Sequence, residues 1–390
     1  EEDAERIAAV LFYVHDHSQR EVAGFLDLPV STVNNRLRNA RKHLRAGGLL
    51  TMANEAFRNN PLPHDFAGRI GTIIRAEGSI IDARFGPNQR PPILNEVTIT
   101  DDASGLALTA QVAQYLDDDL VRCFTLSAPS PNAATPGPGT QVRDLTTPVS
   151  LPMDTAALID VIARMRGPAS ATHLVDTGIK AIDLFCPLAA GTLVGLAGDM
   201  QTGKMVLVEE LIHRLGRLSQ PLSVLVFVET STEVKAIQQL DYRTSGSVEA
   251  IYLPVADPSP ESLGPVLDRL DTVITFSRDL GKARLYPAID PLRSTSRLLD
   301  PAIVGEDHVR IAEDARALLG SDRDPDRATR LRHYLSQPFY VAEAFTNRAG
   351  TSVPLSTTLA DCRAILDGTQ DNLDPETLYM TGAMVDNGRK

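Results

Sequence analysis

Residues 191–214 read GTLVGLAGDMQTGKMVLVEELIHR, and the change of periodicity inside this stretch decides how the chain is divided. Leu193–Ala197 is an apolar run of strand length, and Met205, Val208 and Leu211 then recur at helical spacing. Between them lies the glycine-bearing turn Gly198-Asp199-Met200-Gln201-Thr202-Gly203-Lys204. A strand, a glycine turn and a helix in that order suit a phosphate group, because backbone N–H groups and a helix N-terminus surround its oxygens while a lysine supplies a mobile charge. Gly198, Gln201, Thr202, Gly203, Lys204 and Met205 are therefore the candidate phosphate contacts. Met205 stands where a serine or threonine hydroxyl would hold magnesium, so the motif is incomplete.

At 390 residues the chain has room for two to four domains, and its 43% hydrophobic content is enough for real cores. The net charge of −12 gives no global attraction to nucleic acid or to an anionic membrane, so any contact with DNA must come from a local basic patch. Cys123, Cys186 and Cys362 are far apart and lack metal spacing, which predicts buried thiols in a reducing, cytoplasmic setting. No apolar run reaches membrane-spanning length and no signal peptide opens the chain, so no membrane insertion is expected. The first residue is Glu1, as expected of a sequence with residues missing upstream.

Sign and periodicity both change in the first fifty residues. AERIAAVLFYV (4–14) is helical in spacing, SQREVAGFLD (18–27) restarts a helix, Leu28-Pro29-Val30 interrupts it, and Ser31 is placed to cap STVNNRLRNARKHLR. Arg20, Arg36, Arg38, Arg41, Lys42 and Arg45 outnumber Glu21 and Asp27, a local charge of +4. Val22, Leu26, Val33 and Leu37 would pack two helices together. Ser31, Thr32, Asn34, Asn35, Arg36, Arg38, Arg41 and Lys42 are the candidate contacts to groove edges and phosphates of double-stranded DNA. The bland alternative is a helical hairpin with solvated arginines. Residues 46–65 contain Gly47-Gly48 and NNPLPHD and read as a linker, with a short helical stretch around Met52–Phe57.

From Gly68 the spacing is that of strands: GRIGTIIRAEGSIIDARF, LNEVTIT, GLALTAQVAQYLD and DLVRCFTLS, separated by glycine and acidic turns, predict a small all-β barrel at 67–148. Farther on, HVRIAEDARALLG, ATRLRHYLSQPFYVAEAFT, STTLADCRAILDG and PETLYM read as helices. The expected fold is multidomain: an all-α helix-turn-helix (1–50), a linker (51–66), the small β-barrel (67–148), a truncated α/β P-loop domain (149–300), a C-terminal α-helical domain (301–382) and a frayed tail (383–390).

Two family resemblances overlie this reading. Glu21, Val22, Ala23, Leu26, Leu28, Pro29, Thr32, Val33, Arg36, Leu37, Ala40, Arg41 and Leu44 match the pattern of region four of bacterial sigma factors, especially the extracytoplasmic-function kind. That resemblance implies DNA and RNA polymerase as partners, although the other sigma regions are absent. The blocks GRIGTII (68–74), PPILNEV (91–97), VAQYLDDDLVRCF (112–124), 176–215, VEAIYLPVADPSP (248–260), 283–308, YLSQPFYVAEAFTNRAG (334–350) and VPLSTTLADCRAILDG (353–368) resemble, in order, the beta subunit of rotary ATP synthases.

The second resemblance implies ATP or ADP as ligand, with Gly198, Gly203 and Lys204 retained. It places a catalytic glutamate at Glu229, yet the family's G-E-R-T-R-E-G run reads VETSTEV here, with Thr230 and Thr232 replacing arginines. Tyr286, Phe339, Ala342 and Phe345 fall on positions of the family's adenine pocket; an ordinary core is the alternative. The family's L-F-I-D-N strand, whose aspartate completes magnesium binding, has no counterpart between Asp241-Tyr242-Arg243 and Gly246-Ser247-Val248. The rotor-contacting helix-loop is reduced to SDRDPDRA (321–328). Magnesium coordination is expected to be weak, no metal ligands are nominated, and Arg297 and Glu306 receive no catalytic role. The expected function is a DNA-associated, nucleotide-responsive transcriptional regulator, self-associating so as to read DNA as a dimer. A weak ATPase and a scaffold without ligands are the competing readings.

Overall fold

The computed structural model describes residues 69–78, 80–87, 89–101, 106–126, 136–148, 152–165, 173–199, 202–215, 218, 221–229, 233, 237 and 247–384, together with Ala23, Pro29, Val30, Thr32 and Val33. The linker at 51–66 lies outside these residues. Ala23, Val30, Thr32 and Val33 are helical, and Ala23 and Val33 are buried. The N–H groups of Thr32 and Val33 both donate to the Pro29 carbonyl, at 2.9 and 3.2 Å. That turn makes Val30 already helical, so the second helix opens before Ser31, the residue the sequence nominates as its cap.

Six antiparallel strands follow: β1 (Ile70–Glu77), β2 (Ile80–Phe85), β3 (Asn95–Asp101), β4 (Leu106–Tyr115), β5 (Leu120–Thr125) and β6 (Gln141–Pro148). They close into a barrel in the order β1-β2-β5-β4-β3-β6. Closure removes the free edges that an open sheet would expose. Ile73, Ile81, Val97, Ile99, Val112, Val121 and Val142 belong to the buried core of this region, the expected consequence of period-two apolar spacing.

Beyond the barrel come α1 (Thr155–Met165), β7 (Leu174–Val175), α2 (Lys180–Phe185), β8 (Leu188–Ala189), β9 (Leu193–Gly198), α3 (Lys204–Arg214), β10 (Leu222–Glu229), β11 (Val248–Val255), α4 (Pro260–Leu267), β12 (Thr272–Phe276), α5 (Arg278–Lys282) and β13 (Thr295–Ser296). The main sheet runs β11-β10-β9-β12-β13, parallel except for β13, and β7 and β8 form a separate pair. Its strands read as continuous apolar runs because both faces are covered. Val194, Leu196, Val224, Val226, Ala250 and Tyr252 pack on one face, whereas Leu193, Ala197, Leu225, Phe227, Ile251 and Leu253 pack on the other with Leu158, Val161, Leu263 and Val266 of α1 and α4.

Strand β11 is outermost, yet all eight of its residues are buried. The barrel accounts for this: Gln111 Nε2 of β4 donates to the Tyr252 carbonyl at 2.6 Å, and Arg122 of β5 pairs with Glu249 as well as with Asp82.

The C-terminal part contains α6 (Pro301–Val304), α7 (Glu306–Leu319), α8 (Pro325–Leu335), a 3-10 turn (Tyr340–Ala342), α9 (Glu343–Thr346), α10 (Leu355–Leu366) and a 3-10 turn (Pro375–Leu378). Two expectations are corrected here. The helix read across ATRLRHYLSQPFYVAEAFT stops at Leu335. Pro338 follows three residues on, and the residue before a proline is driven out of the helical region. The tail is not frayed at its start: Lys180 Nζ donates to the Thr381 carbonyl at 2.8 Å and to that of Gly382 at 3.2 Å, and the Met384 N–H donates to Asp361 at 2.9 Å. All three cysteines are buried free thiols.

Candidate functional site

The sheet reverses its winding beside β9. The chain steps outward from β9 to β10 and β11, then returns to lay β12 on the other side of β9. In open parallel sheets the crevice at such a reversal, beyond the carboxyl ends of the strands, is where ligands sit. Gly198 and Phe276, the last residues of β9 and β12, are paired there. Gly198 has φ +110°, and a Cβ on it would lie 2.3 Å from the Phe276 carbonyl oxygen, so only glycine lets the two strands approach and the chain turn away. Gly203, at φ +95°, precedes α3, and nothing lies within 4 Å of the place its Cβ would occupy. The turn is tightened by Thr202, whose hydroxyl donates to the Asp199 carbonyl at 2.7 Å. Asp199 faces Arg278, the first residue of α5, at 3.6 Å across the crevice.

Lys204 folds back beneath this turn and is 2% exposed. Its Nζ donates to the carbonyls of Gly198 (3.0 Å) and Phe227 (2.9 Å) and reaches Glu233 Oε2 at 3.4 Å. Burial pulls the ammonium below the ordinary lysine range, and the Glu233 carboxylate is the first of the groups opposing that shift. Glu229 closes β10 as the strand reading requires, half-buried, and its N–H donates to the same Glu233 oxygen at 2.8 Å. The carboxylate seated on the lysine is therefore Glu233. It is the second acid of the VETSTEV run, and nothing in its spacing marks it as the partner of Lys204.

The residues nominated for an adenine pocket belong to segments that meet beside α3. The buried carboxylate of Glu210 accepts from the N–H groups of Tyr340 (3.1 Å) and Val341 (3.0 Å) and from Arg214 Nε (2.6 Å). The Gln337 N–H donates to the Tyr286 carbonyl at 2.8 Å. The structure thus ties the segments of Tyr286, Phe339 and Ala342 to each other and to α3. Phe339 is a core residue with the Arg214 guanidinium 5.8 Å from its ring centre, Tyr286 and Ala342 are half-buried, and Phe345 is 51% exposed.

The turn between β9 and α3 has open space at Gly203 and leads into the first turn of an eleven-residue helix whose N–H groups lack intrahelical acceptors, while its lysine already has three acceptors. It does not fit magnesium. Met205 offers no oxygen and packs against the core, while β12 ends in Thr275-Phe276, followed by Ser277, with no carboxylate. Among the described residues no group of three or more histidines, cysteines and acids could hold a metal ion. Gln201 lies outside the described residues.

Residues 3–44 match the family model described as Sigma-70, region 4. The chain therefore carries a sigma-70 region 4-like helix-turn-helix at its amino terminus, followed by the barrel, the sheet and the helical part. Thr32 is helical and half-exposed. Ser31, Asn34, Asn35, Arg36, Arg38, Arg41 and Lys42 lie outside the described residues. No helix among the described residues is long and apolar enough to cross a membrane.

Proposed function

We propose that the chain is a DNA-associated transcriptional regulator whose larger part, a shortened relative of the ATP synthase beta subunit, binds ATP or ADP without magnesium and responds to it. The observation that carries this reading is the presence, in one chain, of a region 4-like module and a β9–turn–α3 unit with Lys204 at a reversal of the sheet. The ordered blocks at 68–74, 91–97, 112–124, 176–215, 248–260, 283–308, 334–350 and 353–368 support the kinship. Double-stranded DNA is the partner of the first module, RNA polymerase is its second, and self-association would let two recognition helices read paired half-sites. Hydrolysis is disfavoured by Met205 and by the apolar end of β12, since magnesium normally neutralises the charge that develops during phosphoryl transfer.

The test is duplex selection from a random-sequence pool by the full chain, followed by anisotropy titration of the selected duplex with and without ATP in EDTA. The reading expects binding that Arg38→Ala with Arg41→Ala removes, and an affinity that ATP changes in the wild type but not in Lys204→Ala. Binding to no duplex, or an ATP effect that survives Lys204→Ala, would overturn it.

A further inference from the structure

The ammonium of Lys204 has three protons, and all three have acceptors: two main-chain carbonyls and one carboxylate. With its side chain 2% exposed, it has no spare face for a ligand. The carbonyls of Gly198 and Phe227 belong to β9 and β10, whose pairing places them. Glu233 is the partner that can leave without disturbing a strand. It makes the longest of the three contacts, its side chain is 14% exposed, and it follows β10.

We infer that the Glu233 carboxylate is a built-in competitor for the phosphate seat on Lys204, so that a metal-free nucleoside di- or triphosphate enters by displacing it; this rests on the reading of the loop given above. The carboxylate and a phosphate oxygen make the same demand on the site, an anionic acceptor facing a buried ammonium. They cannot share it, because two like charges at contact distance in a poorly hydrated place repel strongly. Departure of Glu233 releases two donors together, since the same Oε2 accepts from the Glu229 N–H at the end of β10. The ligand therefore gains the ammonium and a main-chain donor, and Glu233 gives up its contacts with Lys204 and with the Glu229 N–H. Glu233 thus sets the affinity of the seat. Met205 gives this arrangement its reason: without a bound cation to offset the phosphate, the seat is governed by Lys204 and its resident acid.

The experiment is calorimetry on the full chain in EDTA, with ATP and separately with inorganic pyrophosphate, for the wild type, Glu233→Gln, Glu233→Ala and Lys204→Ala. Circular dichroism confirms that each variant is folded. Gln keeps an oxygen for the Glu229 N–H and removes the charge. Glu233→Gln is expected to lower Kd about tenfold or more for both probes, the range of a hydrogen bond to a charged group. Glu233→Ala should act in the same direction, and Lys204→Ala should abolish binding. Equal Kd values for wild type and Glu233→Gln, with binding still dependent on Lys204, would overturn the competition and leave the phosphate loop standing. Tightening for ATP without tightening for pyrophosphate would also overturn it, because the competition acts at the phosphate. Absence of binding by every folded variant would overturn the loop reading itself.

Discussion

Gly198 shows how narrow the tolerance at the site is. Its φ of +110° and the 2.3 Å separation between a would-be Cβ and the Phe276 carbonyl oxygen leave alanine no relaxed position. Gly198→Ala should lower stability by about 3 kcal/mol or more in urea unfolding, through strain and collision together. Two buried ionisable groups govern how stability depends on pH. Burial pushes the Asp183 carboxyl up to about 8, with the neighbouring Asp176 carboxyl acting in the same direction and the hydrogen bonds from Thr177 opposing it. The folded state then holds a proton that the unfolded state has released from about pH 4 upward, so stability falls as pH rises through this window and the loss is complete above about pH 8. Asp183→Asn should flatten that fall in urea midpoints measured from pH 5 to 8. Burial pushes the Lys180 ammonium down to about 7. There the unfolded state binds the extra proton, so Lys180 makes stability rise between about pH 7 and 10. The place of Gly198, Gly203 and Lys204 between a strand and a helix was legible from the change of periodicity around them. Asp183 and Lys180 were not, since their character comes from burial by distant segments.

At the level of elements, the strand, turn and helix of residues 193–214 could be read from periodicity, as could β1 to β5 of the barrel; β6 could not, because it opens at Gln141 directly after a run rich in proline and glycine. The segment Tyr340–Val341, which forms the wall beside α3, could not. It is held by the Glu210 carboxylate, which is wholly buried and accepts two main-chain N–H groups and Arg214. In the sequence Glu210 is one more acid on an amphipathic helix. Glu210→Ala leaves those donors and a buried guanidinium without their acceptor, and should cost about 3 kcal/mol or more in urea unfolding. The long helix predicted over 328–346 failed for a related reason: apolar spacing continues through Ser336-Gln337-Pro338, but Gln337 is held by Gly178 and Thr351 across the domain, through its Nε2 at 2.7 and 2.6 Å. Glu233 was equally hidden, because a four-residue spacing on a polar stretch carries no sign that its carboxylate turns back to the end of a neighbouring strand.

At the scale of the molecule, the order of parts was legible and the joint between them was not. The outer edge of the sheet is sealed by the barrel through Gln111 and through Arg122, which joins Asp82 of the barrel to Glu249 of β11. Arg122→Ala strands two buried carboxylates, and we expect about 3 kcal/mol of lost stability with barrel and sheet unfolding in separate transitions by calorimetry. Above this scale stands the central claim, that the unit after the barrel is a magnesium-independent nucleotide site. Titration calorimetry of ATP into the full chain, with excess EDTA and then with magnesium, addresses it most directly. The account predicts saturable heat of similar affinity under both conditions, absent in Lys204→Ala; no heat in either condition, or binding that requires magnesium, would contradict it.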